Sequence, residues 1–315
     1  MNRPDVIRQP LGVVAATFVI MMACVVIRVT TAPYPAETDL AADMPLGRAI
    51  DSLFPTGAAA CTVGLVAAIL NATLLAGMIV RYSVSAVRTY LPMAVYAMTA
   101  YGICFPAGSV SATLVPLLLI LGSTQMIAAF KRSYQFEHVF KSAFCIGLLP
   151  MLYAPALPLV LIVPVTLVLY RRTLREAVVA AAGLLLPFFI CSVVWWGLGE
   201  DTALPALFGE KGVWSKVYIG LFAALTLCSA IIILRTLPSL RTRAKKIHIH
   251  FLWLLLLCLI SLLLPGSTIA SLGVLAVPCC VTVSAFFIRY RGWLPLAIYT
   301  VLTALMLYIN LFPGV

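Results

Sequence analysis

Charged residues are scarce in this chain of 315 residues: Asp, Glu, Lys and Arg make up 10% of it, while apolar residues make up 63%. The mean hydropathy is +1.11. A water-soluble domain carries about a quarter of its residues as charges to cover its surface. The composition therefore excludes a soluble protein and predicts a polytopic membrane protein whose exterior faces hydrocarbon.

Motifs of familiar chemistry are missing as well. No P-loop, GxGxxG, HExxH or GxSxG pattern occurs. The nine cysteines form no CxxC pair and no metal-ligand spacing, so we interpret them as small packing residues. His248 and His250 alternate as in a strand and are expected beside the membrane without further ligands, so no metal site is predicted. The Lys and Arg residues form short clusters rather than one basic stripe, which argues against nucleic-acid binding.

Eleven apolar segments are bounded by charges or by Pro and Gly. They are 11–29, 58–80, 89–105, 112–130, 142–153, 155–170, 177–198, 215–234, 251–264, 269–288 and 293–311. They predict an all-α transmembrane bundle of nine to eleven spans that forms a single domain over residues 1–315, with no separate soluble domain. Segments 142–153 and 251–264 are shorter than the about 20 residues of a crossing helix, which favours re-entrant or tilted helices there.

Three stretches, 89–130, 142–170 and 251–288, are each either one kinked helix or a hairpin of two helices. Each stretch has Lys or Arg at both outer ends. A single span would move one of these basic clusters to the outside, against the positive-inside rule, whereas a hairpin keeps both inside. Uncharged turns that contain proline lie at 105–109, 153–156 and 264–268, so we predict three hairpins.

This arrangement sets the orientation. With a cytoplasmic amino terminus, all but four of the 21 Lys and Arg residues are cytoplasmic, and seven of the ten acids are external. The first segment follows Arg3 and Arg8 as in a signal peptide, but it is long and no A-x-A site follows it, so we expect a retained helix. Eleven spans then place the carboxyl terminus in the periplasm of a bacterium, with the chain in the inner membrane.

The first external loop, residues 30–57, is the main candidate for chemistry. It holds several carboxylates, with Glu37 and Asp39 near its centre. In its second half, Leu46, Ile50, Leu53 and Phe54 share one helical face and Arg48 lies on another, which predicts an interfacial helix over 46–54. Carboxylates near a membrane surface can act as bases or bind cations. The alternative is a solvated loop that simply obeys the charge rule.

Two amides are the most polar side chains inside the predicted spans. Asn71 and Gln125 are candidate ligand-binding residues, although interhelical hydrogen bonding is the commoner use of such residues. No Asp, Glu, Lys or Arg is placed at mid-span. Since ion-coupled transporters usually place ionisable residues there, this argues against an ion-coupled carrier.

Residues 60–200 resemble an uncharacterised family of multi-pass inner-membrane proteins of Bacteroidota. The likeness rests on Asn71, on the basic residue of Arg88-Thr-Tyr-Leu-Pro92, and on a framework of Gly, Tyr, Pro and Arg. The framework residues are Gly147, Tyr153, Pro155, Arg172, Arg175, Gly183 and Pro187. This resemblance implies a membrane fold and no particular activity.

Residues 141–187 are also similar to the recurrent hairpin of the GT-C class of membrane glycosyltransferases, which use polyprenyl-phosphate sugars. In that class a carboxylate of the first external loop does the central chemistry, which implies this role for Glu37 or Asp39. The chain departs from the class in its short loop, in having Glu37-Thr38-Asp39 where an Asp-Asp or Asp-Glu pair is usual, and in lacking an accessory periplasmic domain.

From this resemblance we expect a GT-C-like protein that acts on a polyprenyl-linked sugar at the periplasmic face. Glu37 or Asp39 would serve as a base or would hold a divalent cation, and membrane lipids would be its partners. Two alternatives stay open: a non-catalytic membrane subunit or scaffold of an envelope assembly, and a transporter that is not ion-coupled. A groove at Glu37 and Asp39 would favour the enzyme, a polar cavity at the midplane the transporter, and a filled core the subunit.

Overall fold

The structure is a computed structural model that describes residues 12, 14–20, 23, 44–54, 57–84, 89–104, 110–130, 134–197, 213–240, 242–263, 270–290 and 293–311. Every regular element in these ranges is helical, as predicted. Four of the helices are long and apolar enough to cross a membrane, judged by length and composition. The described parts of the first predicted segment, residues 12, 14–20 and 23, are helical too.

The α-helices are, in chain order, α1 Pro45–Leu53, α2 Gly57–Arg81, α3 Leu91–Cys104, α4 Val110–Ala128, α5 Phe136–Leu152, α6 Ile162–Leu169, α7 Leu174–Gly197, α8 Val213–Thr236, α9 Thr242–Leu263, α10 Ala270–Arg289 and α11 Trp293–Leu311. Two 3₁₀ segments, Ala154–Leu161 and Leu237–Ser239, precede α6 and α9. The interfacial helix predicted over 46–54 corresponds to α1, which begins at a proline as first turns often do.

Of segments 142–153 and 251–264, the first belongs to a helix of 17 residues, still fewer than the about 20 of a crossing helix, and only the expectation for the second was wrong. The helix that contains the first begins at Phe136, and the helix that contains the second begins at Thr242, so that α9 has 22 residues. In both cases the charged and polar residues before the apolar run belong to the helix. Hydropathy marks where an apolar run begins, whereas the backbone hydrogen bonds of a helix extend beyond it into polar turns.

The stretch 136–170 forms the hairpin that was predicted there. Near its start, His138 contacts Gln125 in the last turn of α4, and at its end the ring of Tyr170 packs at 4.0 Å on Phe130, just beyond the same helix. Both ends of the stretch therefore lie at one end of the bundle. The returning arm starts as a 3₁₀ helix because Pro155 and Pro158 cannot donate backbone hydrogen bonds.

The end of the bundle to which this hairpin returns is rich in cations, and we call it the basic end. Tyr170 donates its hydroxyl to the carbonyl of Lys246 at 2.6 Å, which places the start of α9 there. Arg243 lies over the ring of Tyr82, which places the end of α2 there as well.

The other end of the bundle is fixed by two long-range contacts, and we call it the opposite end. Asp51 of α1 binds Ser111 at the start of α4. The hydroxyl of Ser261, near the end of α9, donates to the carbonyl of Pro155.

Helices α5 and α7 pack closely, and glycine makes this possible. A Cβ on Gly147 would lie 2.6 Å from the carbonyl oxygen of Leu184, and a Cβ on Gly183 would lie 2.9 Å from the Cβ of Ala143. Small residues at such crossings let two backbones approach, which is how helices pack in membranes. The two glycines of the Gly, Tyr, Pro and Arg framework are thus packing residues here.

Burial is uneven across the bundle. Helix α10 lies in the middle, with Val277, Cys280 and Val283 fully buried. Helix α7 lies at the edge, where only 17% of its apolar span is buried, and side chains such as Leu185 and Phe189 are about two-thirds exposed, at 65% and 66%. A face this apolar is suited to contact hydrocarbon.

Candidate functional site

The two candidate catalytic residues, Glu37 and Asp39, lie outside the described residues. The part of their loop that is described is α1, which lies at the opposite end of the bundle. Leu46 and Ile50 of α1 pack against the core, as the amphipathic pattern predicts. Leu53, expected on the same face, is instead 73% exposed.

A carboxylate of α1 anchors this helix to the bundle. Asp51 accepts two hydrogen bonds from Ser111: one from its backbone N–H and one from its hydroxyl, both at 2.9 Å. Ser111 lies in the first turn of α4, where backbone N–H groups have no partner within the helix. Asp51 therefore caps α4 from a neighbouring helix and also opposes the positive end of its dipole.

Arg48, predicted as a binding residue, makes a contact with the protein. It is exposed on α1, and its guanidinium lies 5.7 Å from the centre of the Trp195 ring near the end of α7. This cation–π contact ties the polar face of α1 to the edge helix.

Asn71 lies in the packed interior of α2. Its side chain is 2% exposed, and its Oδ1 atom has no hydrogen-bond partner within the described residues. The fully buried Ser123 hydroxyl, in the adjacent helix α4, likewise lacks a partner there. An unpartnered buried polar atom costs about 1–3 kcal/mol. Asn71 is thus buried as a packing residue would be, and its carbonyl oxygen is unsatisfied in the described structure.

Gln125, the second amide, bonds between helices. Its Oε1 lies 2.8 Å from Nδ1 of His138, which joins the last turn of α4 to the first turn of α5. One turn further along, the Ser142 hydroxyl donates to the carbonyl of Gly122 at 2.8 Å. No hydrogen bond in the described structure joins Asn71, Arg48 and Gln125 to one another, so the predicted binding residues do not form one site there.

The alternation of His248 and His250 in the sequence, which is typical of a strand, does not correspond to a strand in the structure. Both residues are helical, within α9, and both are buried, His250 completely. Among the described residues no group of His, Cys, Asp or Glu can hold a metal ion.

The described structure contains an apolar cleft of about 370 Å³. Helices α8 and α9 each pack on α10 and leave the cleft between them. Its lining residues are Thr99, Phe222, Ala223, Ala224, Thr226, Leu227, Ala230, Leu255, Leu259, Leu262, Leu275, Ala276 and Cys279. On α9 the cleft runs from Leu255 to Leu262, about 10 Å along the helix axis and next to the opposite end.

The cleft opens sideways onto the surface of the bundle. At its rim, Leu227 is 65% exposed and Leu259 is 43% exposed, and Ala223 and Ala224 are exposed as well. Both rim helices are among the four that are apolar and long enough to cross a membrane. A hydrocarbon chain in the surrounding membrane can therefore enter the cleft from the side.

The hydroxyl groups of the lining donate their hydrogen bonds to the protein itself. Thr99 donates its hydroxyl to backbone carbonyls of its own helix, at 2.7 Å to Val95 and 3.0 Å to Tyr96. Thr226 donates to the carbonyl of Phe222 at 2.7 Å and lies 3.6 Å from the sulfur of Cys279. The hydroxyl protons are thus already engaged, and no ionisable residue other than this thiol lines the cleft. The lining of the cleft therefore favours a hydrocarbon ligand over a sugar or an ion.

Sequence reasoning missed this cleft. A hint was present in the small residues Ala223, Ala224 and Ala230 of α8, which leave room where a larger side chain would fill the space. What makes the cleft is the separation of α8 from α9, and that separation is a property of the packed bundle. A comparison with protein-family models, with curated proteins and with solved structures found no match to this chain.

Proposed function

We propose that this protein binds the hydrocarbon tail of a polyprenyl-linked sugar in the cleft between α8 and α9 and acts on the sugar at the periplasmic face, in the manner of a GT-C glycosyltransferase. The observation that carries the proposal is the apolar cleft, open to the side, beside the opposite end of the bundle. A membrane-embedded enzyme of this kind must hold a long apolar tail while the sugar stays near the surface.

The position of α1 supports the same proposal. This helix directly follows the loop of Glu37 and Asp39 in sequence and lies at the end of the bundle beside which the cleft runs. A carboxylate there would lie at the same end of the bundle as the head of such a lipid, while α1 itself packs mainly on α4, α5 and α7 rather than on the helices of the cleft. We propose Glu37 or Asp39 as the general base or as a ligand of a divalent cation.

The proposed setting is the bacterial inner membrane, with the amino terminus and the basic end in the cytoplasm. The opposite end then faces the periplasm, and the carboxyl terminus lies there after eleven spans. The clustering of Arg81, Arg243 and Lys246 at one end of the described bundle supports this orientation through the positive-inside rule.

One observation favours the alternative of a non-catalytic membrane subunit. Within the described residues, each acidic side chain is bonded to the protein: Asp51 to Ser111, Glu137 to Lys141 and Glu176 to Arg172. None of these is free to act as a base. The transporter is less well supported, because the cleft is apolar rather than a polar cavity at the midplane.

Two sets of variants test the proposed function by rescue of the envelope defect of a deletion strain. For the loop, Glu37→Gln and Asp39→Asn remove charge at constant size, and at least one is expected to lower activity by about 10²–10⁴-fold at normal protein levels, as loss of a general base does. Asp43→Asn is the matched control from the same loop. Asp51→Asn is unsuitable as a control, because Asp51 caps α4.

For the cleft, Ala224→Phe places a ring among its lining residues and is expected to abolish rescue at normal protein levels. Cys228→Phe is the matched control, since Cys228 is a small exposed residue of the same helix that does not line the cleft. Full rescue by the Glu37→Gln, Asp39→Asn double variant with loss of rescue by Ala224→Phe would support a lipid-binding subunit without catalysis. Full rescue by both would contradict the proposal.

A further inference from the structure

Basic and aromatic side chains meet at the basic end, around the start of α9. The guanidinium of Arg243 lies 5.2 Å from the centre of the Tyr82 ring, and the ammonium of Lys246 lies 5.1 Å from the centre of the Tyr170 ring. A third cation, Arg81, lies 5.9 Å from the same Tyr82 ring. We call these five residues the cation–tyrosine cluster.

The two cations of α9 point to the same side of the helix. Arg243 and Lys246 are three residues apart, so their Cβ atoms are about 5–6 Å apart on one face. Tyr82 follows the last turn of α2, and Tyr170 follows the last turn of α6. The cluster therefore joins three elements at one point of the basic end.

The cations of the cluster have no carboxylate partner in the described structure. Ion pairs of the described residues join Lys141 to Glu137 and Arg172 to Glu176, and none includes Arg81, Arg243 or Lys246. Arg81 and Arg243 approach the same ring, so their like charges repel each other. An anion between them would relieve this repulsion and gain hydrogen bonds from both guanidinium groups.

One tyrosine of the cluster, Tyr170, is held in place. The Tyr170 hydroxyl donates to the backbone carbonyl of Lys246 at 2.6 Å, and its ring packs on Phe130 with ring centres 4.0 Å apart. A site whose side chains are already ordered loses less entropy when a ligand binds.

We propose that the cation–tyrosine cluster binds the phosphate of an anionic phospholipid headgroup. The cluster lies where α2 ends and α9 begins. Both helices are long and apolar enough to cross a membrane, so their ends lie at the level of the headgroups. Tyrosine is typical of that level, and basic pockets between helices are typical sites for anionic lipids. This site is at the other end of the bundle from the cleft and does not depend on the proposed enzymatic function.

The test uses the purified full chain in detergent, titrated separately with phosphatidylglycerol, phosphatidylcholine and inorganic phosphate, with bound molecules counted by native mass spectrometry. Phosphatidylglycerol is expected to bind with clear preference over the other two. Since each basic residue near a headgroup is worth about 1 kcal/mol, or about fivefold in Kd, the Arg243→Gln, Lys246→Gln double variant should bind it about 25-fold more weakly.

Lys245→Gln is the matched control, because Lys245 is exposed on the same turn and has no contact with either tyrosine ring. It should weaken phosphatidylglycerol binding by at most about fivefold, the worth of one basic residue near the surface, and Lys246→Arg should retain binding. Tyr82→Leu keeps every charge and should weaken binding by about two- to fivefold, the worth of an exposed cation–π contact. Thermal unfolding of each variant identifies any that is misfolded.

Three results would overturn the proposal. Equal binding of phosphatidylglycerol and phosphatidylcholine would show that the charge of the headgroup is not recognised. Equal affinity for inorganic phosphate would make the cluster a general anion site. If Lys245→Gln weakened phosphatidylglycerol binding as much as the folded double variant does, diffuse charge rather than the cluster would attract the lipid.

Discussion

Asn71 illustrates how a single polar residue can be read in two ways. Its Oδ1 atom is buried and has no partner within the described residues, so the protein gains little from the amide. We expect Asn71→Leu to leave the protein folded and inserted and to raise the unfolding free energy by up to about 1–3 kcal/mol, since it removes a buried oxygen that has no partner in the described structure. Thermal unfolding and protein levels in the membrane measure this.

The same variant also tests a ligand role for Asn71. Loss of rescue in the deletion strain at normal protein levels would show that the amide binds a ligand, which packing alone would not explain. A strong fall in protein levels would contradict the expectation that the amide contributes little to stability.

Asp51 is the acid whose role is clearest at the residue scale. Asp51→Ala leaves the N–H of Ser111 without its cap, and we expect it to lower the unfolding free energy by about 1–2 kcal/mol. Asp51→Asn keeps one acceptor oxygen and should lower the unfolding free energy less than Asp51→Ala does. Ser52→Ala, an exposed neighbour with a local hydrogen bond only, is the control. Thermal unfolding measures both variants. If Ser52→Ala lowered the unfolding free energy as much as Asp51→Ala does, the capping role of Asp51 would be excluded.

At the scale of elements, the close packing of α5 on α7 can be tested at a single glycine. A Cβ on Gly147 would lie 2.6 Å from a backbone oxygen, which can move only if a helix moves. We expect Gly147→Ala to lower the unfolding free energy by about 1–3 kcal/mol, the usual cost of overpacking.

Gly77→Ala is the matched helical control, because a Cβ at Gly77 would meet nothing within 4 Å. It should be neutral or should stabilise the protein by up to about 1 kcal/mol, since alanine favours helix over glycine. Equal unfolding temperatures for the two variants would refute the close contact between α5 and α7.

Helix existence could be predicted from the sequence, but the starts of α5 and α9 could not. The apolar runs gave the positions of α2, α7 and α11 closely, because those helices are apolar along almost their whole length. The starts of α5 and α9 were missed because polar residues there are helical and find partners in the bundle: His138 bonds Gln125, and Arg243 lies on Tyr82. Such partners come from distant parts of the chain, and hydropathy does not report them.

Two helices end on residues in an unusual backbone conformation. Ser83 and Arg171 follow α2 and α6 with φ values of 50° and 51°, a region that favours glycine. In each case the next residue bonds back to the last turn of the helix, Val84 to Ile79 and Arg172 to Leu167. Tyr82 and Tyr170 directly precede these two residues, and both tyrosines contact cations of α9.

At the scale of the whole molecule, composition predicted the all-helical bundle, because so few charges leave hydrocarbon as the only fitting surroundings. The cleft could not be predicted from the sequence. It exists because α8 and α9 both pack on α10 and not along each other, and no local pattern fixes how two helices are spaced on a third. The candidate site thus depends on packing over a long range of sequence.

The measurement that tests the central claim most directly is photolabelling of the protein in lipid nanodiscs with a polyprenyl phosphate that carries a diazirine in its tail. Peptide mapping should place the label in the cleft, on residues 222–230 of α8 and 255–262 of α9. Ala224→Phe should reduce this label strongly, and Cys228→Phe should leave it unchanged. Label spread over the exposed face of α7, at Leu185 and Phe189, as densely as over the cleft would contradict the account.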